Sequence, residues 1–235
     1  MKSAGESLDD TYALFRPLAA LTHWAVDVGG QFLYGLGFDT RVEGRENIPQ
    51  NTNFIVVSNH CSHLDYGLVA YALGKQRRKL YVMAASDYFF NSKLKRTYYQ
   101  KCTHILPMNR ETPLPRALPV ARACLASGNN LLVFPEGTRS LNGQMARFKR
   151  MAAFLCLQNQ VDVLPLYLSG TFESLPKGNR FFRSRHLGVR IGPVLRHEKL
   201  AGETLGRGMK FSAATVRVTE QIQRTVEALR DGAQG

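Results

Sequence analysis

From residue 53 onward, short apolar runs alternate with stretches of helical periodicity, and no other feature limits the fold as much. The runs NFIVVS (53–58), LYVMAA (80–85), HILPM (104–108), NLLVF (130–134), VDVLPLYL (161–168) and HLGVRIG (186–192) have strand length. Continuous apolar runs of this kind suit strands buried on both faces. Residues 62–73, 91–101, 115–127, 148–158 and 211–230 read as helices, the third carrying Pro119. Strands alternating with helices predict an α/β fold, with a largely parallel central sheet flanked by helices. Ligands of such sheets bind beyond the carboxyl ends of the strands.

The 235 residues suffice for one large domain with a sizeable core. We place that domain at 39–235, after an N-terminal amphipathic helical segment at 1–38. In the latter, Leu14, Leu18, Leu21, Ala25, Val28 and Phe32 recur at helical spacing, and Gly29-Gly30 is expected to break the run into a helical pair. Such a segment either packs on its own domain or lies in a membrane interface. Arg16, His23 and Asp27 interrupt it, so no stretch reaches the roughly 18 uncharged apolar residues of a spanning helix. We read no signal-peptide pattern. The four cysteines form no C-x-x-C pair, which argues against a disulfide framework or zinc ribbon and fits a reducing compartment.

Charge is the unusual bulk property. Lys plus Arg number 31 against 18 acids, for a net charge of +13, which attracts nucleic acid, anionic lipid headgroups or phosphorylated substrates. The basic residues cluster at 75–79, 93–96, 147–150 and 177–186, and in the last cluster Phe181-Phe182 is flanked by arginines, as suits a dip into a lipid interface. No recognition-helix or RNA-binding signature accompanies them, so nucleic acid is not the expected partner.

Two strand-end loops carry most of the chemistry. SNHCSHLDYG (58–67) follows the NFIVV run, and FPEGTRS (134–140) follows NLLV. Ser62-x-x-Asp65 matches a capping box, which explains those two residues but not Asn59-His60. Cys61 beside His60 offers a thiol nucleophile or a small buried filler. His60, His63 and Asp65 offer a metal-dependent hydrolase, although H-x-x-H-x-D is a weak ligand spacing. A general base results if His60 lies in the turn before the helix and Asp65 folds back from its first turn. Asp65 then fixes the imidazole tautomer, and His60 takes a proton from a substrate hydroxyl. In FPEGTRS, Glu136, Thr138 and Arg139 crowd a Pro-Glu-Gly turn with polar function.

Taken in order, NHCSHLD, HILPMNR, FPEGTRS and VLPLYLSG resemble the four motifs of the glycerolipid acyltransferase family, which includes lysophosphatidic acid acyltransferase. FKRMAAF (148–154) resembles that family's basic segment, with Met151 where glycine is usual, and PMNR replaces the commoner I-D-R. The resemblance covers about residues 40–195. It implies a glycerol-3-phosphate acyltransferase-like fold, with His60 as general base and Asp65 as its orienter. Arg110 contacts the acceptor's phosphate or polar head. Glu136, Gly137, Thr138, Arg139 and Lys149 shape the acceptor site. The expected reaction moves a fatty acyl group from an acyl thioester to a free hydroxyl of a lysophospholipid, most simply 1-acylglycerol 3-phosphate, without a covalent intermediate. The co-substrate is acyl-CoA or an acyl carrier protein (ACP) thioester, and no other cofactor or metal is expected. The expected setting is an anionic membrane surface, from its cytoplasmic face, with the protein peripheral or monotopic. A backbone N–H near the Ser62 helix start is the candidate oxyanion donor. A non-catalytic module that binds anionic lipid is the remaining alternative.

Overall fold

The computed structural model describes residues 28–85, 104–108, 114–179 and 181–232. Seven strands form one sheet in the order β1-β7-β6-β2-β5-β3-β4: β1 (Asp39–Glu43), β2 (Phe54–Ser58), β3 (Leu80–Ala85), β4 (Ile105–Met108), β5 (Asn130–Val133), β6 (Asp162–Ser169) and β7 (His186–Ile191). Every pairing is parallel except β6 with β7.

The central strands are apolar throughout because both of their faces are covered. All of β2 and β5 is buried. Side chains alternate across a strand, so Ile55 and Val57 join one core and Phe54 and Val56 another. The first core lies under α2 (Leu114–Ala126), α3 (Met151–Asn159) and α6 (Phe211–Asp231). On α6, Ala214, Val218, Ile222 and Val226 recur every fourth residue and all are buried. The second core lies under α1 (Leu64–Ala72) and residues Tyr34 and Phe38. Each fully buried Leu, Ile or Phe contributes about 1.5–3 kcal/mol. Two short helices, α4 (Thr171–Ser174) and α5 (His197–Gly202), complete the chain's turns.

Most expected elements are present within a residue or two. The 62–73 helix is shorter, Leu64–Ala72, because Ser62 and His63 stay in the turn that carries the polar motif. Pro119 is tolerated inside α2. Gly29 and Gly30 are themselves helical, in a run (28–32) that continues into a π-helical turn, Leu33–Gly37, so no break falls there. Gly67 has a packing reason to be glycine. Tyr34 donates its hydroxyl to the Leu64 carbonyl at 2.9 Å, and a Cβ on Gly67 would lie 2.5 Å from that hydroxyl. The basic helix expected at 91–101 and all of residues 1–27 lie outside the described residues.

Candidate active site

β2 and β5 are parallel neighbours, with Val57 opposite Val133, so the two motif-bearing loops leave the sheet at the same end and side by side. Asn59 locks the first loop to β6: its amide donates to the Leu168 carbonyl at 2.9 Å and accepts from the Leu168 N–H at 2.8 Å. His60 follows, in the turn before α1.

His60 Nδ1 lies 2.8 Å from Asp65 Oδ2. The same carboxylate oxygen accepts the backbone N–H of Cys61 at 2.7 Å and of Ser62 at 2.8 Å. Asp65 is completely buried. An ionised carboxylate is only an acceptor, so Nδ1 carries the proton and the Nε2 lone pair of the neutral ring is left available. Phe134 stacks on the imidazole, with ring centroids 4.0 Å apart and planes 14° from parallel. The ring is therefore fixed both in its plane and across its face.

The capping box is half formed. Asp65 accepts from the Ser62 N–H as expected, but Ser62 Oγ accepts from Leu64 N at 3.2 Å and donates to the Leu175 carbonyl at 2.6 Å. The expected oxyanion donor near this helix start is narrowed by these hydrogen bonds. The N–H groups of Cys61 and Ser62 are committed to Asp65, and that of Leu64 to Ser62 Oγ, so none of the three is available to an oxyanion.

Glu136 does more for the polypeptide than its expected place in the acceptor site required. It is 4% exposed and spends one oxygen on the His60 N–H and the other on the Ala146 N–H, each at 2.7 Å. The Ser140 N–H in turn donates to the His60 carbonyl at 2.8 Å. Both backbone polar groups of His60 are thus gripped by the second loop. Burial pushes the Glu136 carboxyl up, against the two backbone hydrogen bonds that favour its charged form. Neither this grip nor the Phe134 stack was read from the sequence. An aromatic residue directly before Pro-Glu-Gly was the available signal for the stack.

Gly137 turns the chain in the left-handed region, with φ +78°, and a Cβ there would lie 2.5 Å from Lys149 Nζ. The Lys149 ammonium therefore sits over this turn. Thr138 is exposed and Arg139 half-buried. The His63 imidazole is pushed to lower pKa by burial and then by Arg139 and His60, which places Arg139 in the neighbourhood of His63. Arg110 lies outside the described residues. Among the described residues, no three His, Cys, Asp or Glu side chains are placed to hold a metal ion. A cavity of about 760 Å³ opens at the other end of the sheet, beside Glu43, Arg190 and Arg224, and contains none of the expected site residues.

Cys61 is buried, and its thiol is pushed up to about 12 by burial and by the charges of Asp65 and Glu136. Burial raises Cys124 to about 11 and Cys156 to about 12. Thiolate is the reactive form, so in native protein at pH 8 these three should resist iodoacetamide, read site by site by mass spectrometry, and label on unfolding. The linkage sign follows from the raised values. Unfolded thiols ionise near 8.5, so above that pH unfolding releases protons and stability falls as pH climbs toward 11–12. Rapid labelling of native Cys61 would contradict this placement.

Comparison with known proteins identifies the family and the fold. The family model described as Acyltransferase matches residues 39–169. The chain is 30% identical over 176 residues to the human 1-acyl-sn-glycerol-3-phosphate acyltransferase alpha, covering 72% of this chain and 59% of that protein. It is 29% identical over 168 residues to the 1-acyl-sn-glycerol-3-phosphate acyltransferase of Cocos nucifera, covering 71% and 50%. The chain thus spans between half and six-tenths of these relatives' own lengths. The crystal structure of the 1-acyl-sn-glycerophosphate acyltransferase PlsC from Thermotoga maritima superposes with a TM-score of 0.68 at 26% identity, covering 96% of this chain and 88% of that one. The mostly parallel seven-stranded sheet with flanking helices is the fold of that acyltransferase. A family model spanning both polar loops, with the His60–Asp65 pair and the Glu136 turn inside it, places the chain in the acyltransferase family.

Proposed function

We propose that the protein transfers a fatty acyl group from an acyl thioester to the free hydroxyl of a lysophospholipid, with 1-acylglycerol 3-phosphate as the acceptor. The observation that carries this reading is the 2.8 Å contact of His60 Nδ1 with an Asp65 carboxylate already held by two backbone N–H groups. That arrangement suits a general base whose tautomer is fixed and whose imidazolium is stabilised. In the proposed step, His60 Nε2 takes the acceptor's hydroxyl proton as the oxygen attacks the thioester carbonyl carbon. The tetrahedral adduct then expels the thiolate, which recovers the proton from His60. No acyl-enzyme forms. The neighbouring thiol, Cys61, is buried with its pKa near 12, which supports direct attack.

Lys149 lies over the Gly137 turn and Arg139 acts electrostatically on His63, and Arg110 joins them by resemblance to the family. Together they would hold the acceptor's phosphate, arginine by its bidentate fork. The donor is acyl-CoA or acyl-ACP. The lysophospholipid acceptor and its acylated product belong to a bilayer, and the net charge of +13 suits an anionic surface, met from the cytoplasmic face by a peripheral or monotopic protein. No described helix is long and apolar enough to cross a membrane.

The test is a panel of lysolipid acceptors offered with radiolabelled oleoyl-CoA, palmitoyl-CoA and acyl-ACP. Product on 1-acylglycerol 3-phosphate, with no label retained on the enzyme when it is quenched with a labelled acyl-CoA in the absence of acceptor, is the expected result. Lipid binding without turnover on any donor would favour the non-catalytic reading.

A further inference from the structure

Phe134 is the first residue past β5, and strand geometry decides where its ring goes. Side chains alternate across a strand. Phe134 therefore shares a face with Leu132 and packs on the core beneath α1, whereas Leu131 and Val133 belong to the other core. His60 comes to the same face in the turn between β2 and α1, and the two rings meet with centroids 4.0 Å apart and planes 14° from parallel. Aromatic pairs prefer offset or edge-on packing with centroids about 4.5–7 Å apart, because the negative faces of two neutral rings repel. A near-parallel pair at 4.0 Å lies closer to face to face than that. Such a geometry gains most when one of the rings carries positive charge.

That charge arises on His60 in the proposed reaction. The resting imidazole holds its proton on Nδ1, and taking the acceptor's hydroxyl proton at Nε2 makes it an imidazolium. Asp65 Oδ2, 2.8 Å from Nδ1, meets this charge in the plane of the ring. The π face of Phe134 meets it from the side. The other ionisable groups around the ring are known. Glu136 holds the His60 N–H at 2.7 Å, His63 feels both His60 and Arg139, and Lys149 lies over the Gly137 turn. The His60 side chain is 22% exposed, so an interaction at its face is only partly screened by water.

We infer that Phe134 is a positioning residue with an electrostatic part in the reaction: its ring face stabilises the His60 imidazolium as the proton arrives, alongside Asp65. A cation–π contact at a partly exposed site favours the charged state by a factor of about three to ten. A leucine of similar bulk would hold the imidazole in place but give none of this. The inference rests on the proposed role of His60 as the base, but its first test needs no turnover.

The full chain, with isotope-labelled histidine, is titrated by NMR without substrate, and the His60 signal is assigned by its loss in His60→Ala. Phe134→Leu should lower the pH at which the His60 imidazole is half protonated by about 0.5–1 unit, which is a three- to tenfold change in the equilibrium. Phe134→Tyr, which keeps an aromatic face, should keep the wild-type midpoint. Replacing Phe134 with pentafluorophenylalanine preserves the ring's shape and reverses its quadrupole. That protein should titrate at least as low as the leucine variant, and it decides the matter should the leucine variant not fold. In acylation assays the leucine and fluorinated proteins should lose about three- to tenfold in kcat, with KM unchanged. A fluorinated protein that titrates like wild type overturns the inference, because the ring would then only pack. The expected titration shifts beside a wild type without acyl transfer would remove the enzymatic reading and leave the stabilised cation standing.

Discussion

Replacing Asp65 with alanine should reduce turnover by about 10²–10⁴-fold, the usual contribution of a working general base, and also lower stability by about 2–4 kcal/mol. The two losses share one cause. Asp65 Oδ2 receives His60 Nδ1–H and the N–H groups of Cys61 and Ser62, and the side chain is fully buried. Alanine leaves two buried backbone donors without partners, at about 1–3 kcal/mol each, and frees the imidazole to adopt the wrong tautomer. Asp65→Asn separates the effects. Its amide oxygen still accepts the two backbone groups, so most of the stability returns, whereas the charge that favours the imidazolium is gone and turnover stays low. Thermal melts beside steady-state rates check both. An alanine variant that melts like wild type would contradict the hydrogen-bond assignment.

Glu136→Ala should be nearly as damaging, although on this structure its carboxylate serves the backbone. Both carboxylate oxygens end on N–H groups, one of them that of His60, and the side chain is buried. We expect a stability loss of about 2–4 kcal/mol, from two orphaned donors. Turnover should fall at least tenfold, because a general base must stay within hydrogen-bond reach of the proton it takes. Glu136→Gln should rescue little. A glutamine amide offers one oxygen and one NH₂, so one of the two backbone N–H groups faces another donor. If Glu136 instead acted only on the acceptor, Glu136→Gln would raise KM and leave the melting temperature alone.

How much of this was legible in the sequence depended on whether side chains or backbone carried the signal. β2 and β5 were readable because burial on both faces demands unbroken apolar runs such as FIVVS and NLLV. β1 was not, because DTRVE sits at the sheet edge with three of its five residues exposed and only Thr40 and Val42 favouring a strand. The His60–Asp65 pair was legible as a spacing that works only across a turn, and the structure places both residues there. The Glu136 grip was hidden because its partners are N–H groups, which every residue but proline carries. The engagement of the N–H groups near Ser62 was hidden for a related reason: the sequence shows the donors, but not that Asp65 already uses those of Cys61 and Ser62.

The central claim is that His60 is the base in acyl transfer. The most direct measurement compares wild type with His60→Ala in a single assay of 1-acylglycerol 3-phosphate acylation from oleoyl-CoA, with a thermal melt on each sample. The account predicts product from wild type and a loss of about 10²–10⁴-fold in the variant, at a melting temperature close to that of wild type. A well-folded His60→Ala protein that acylates at the wild-type rate would contradict it.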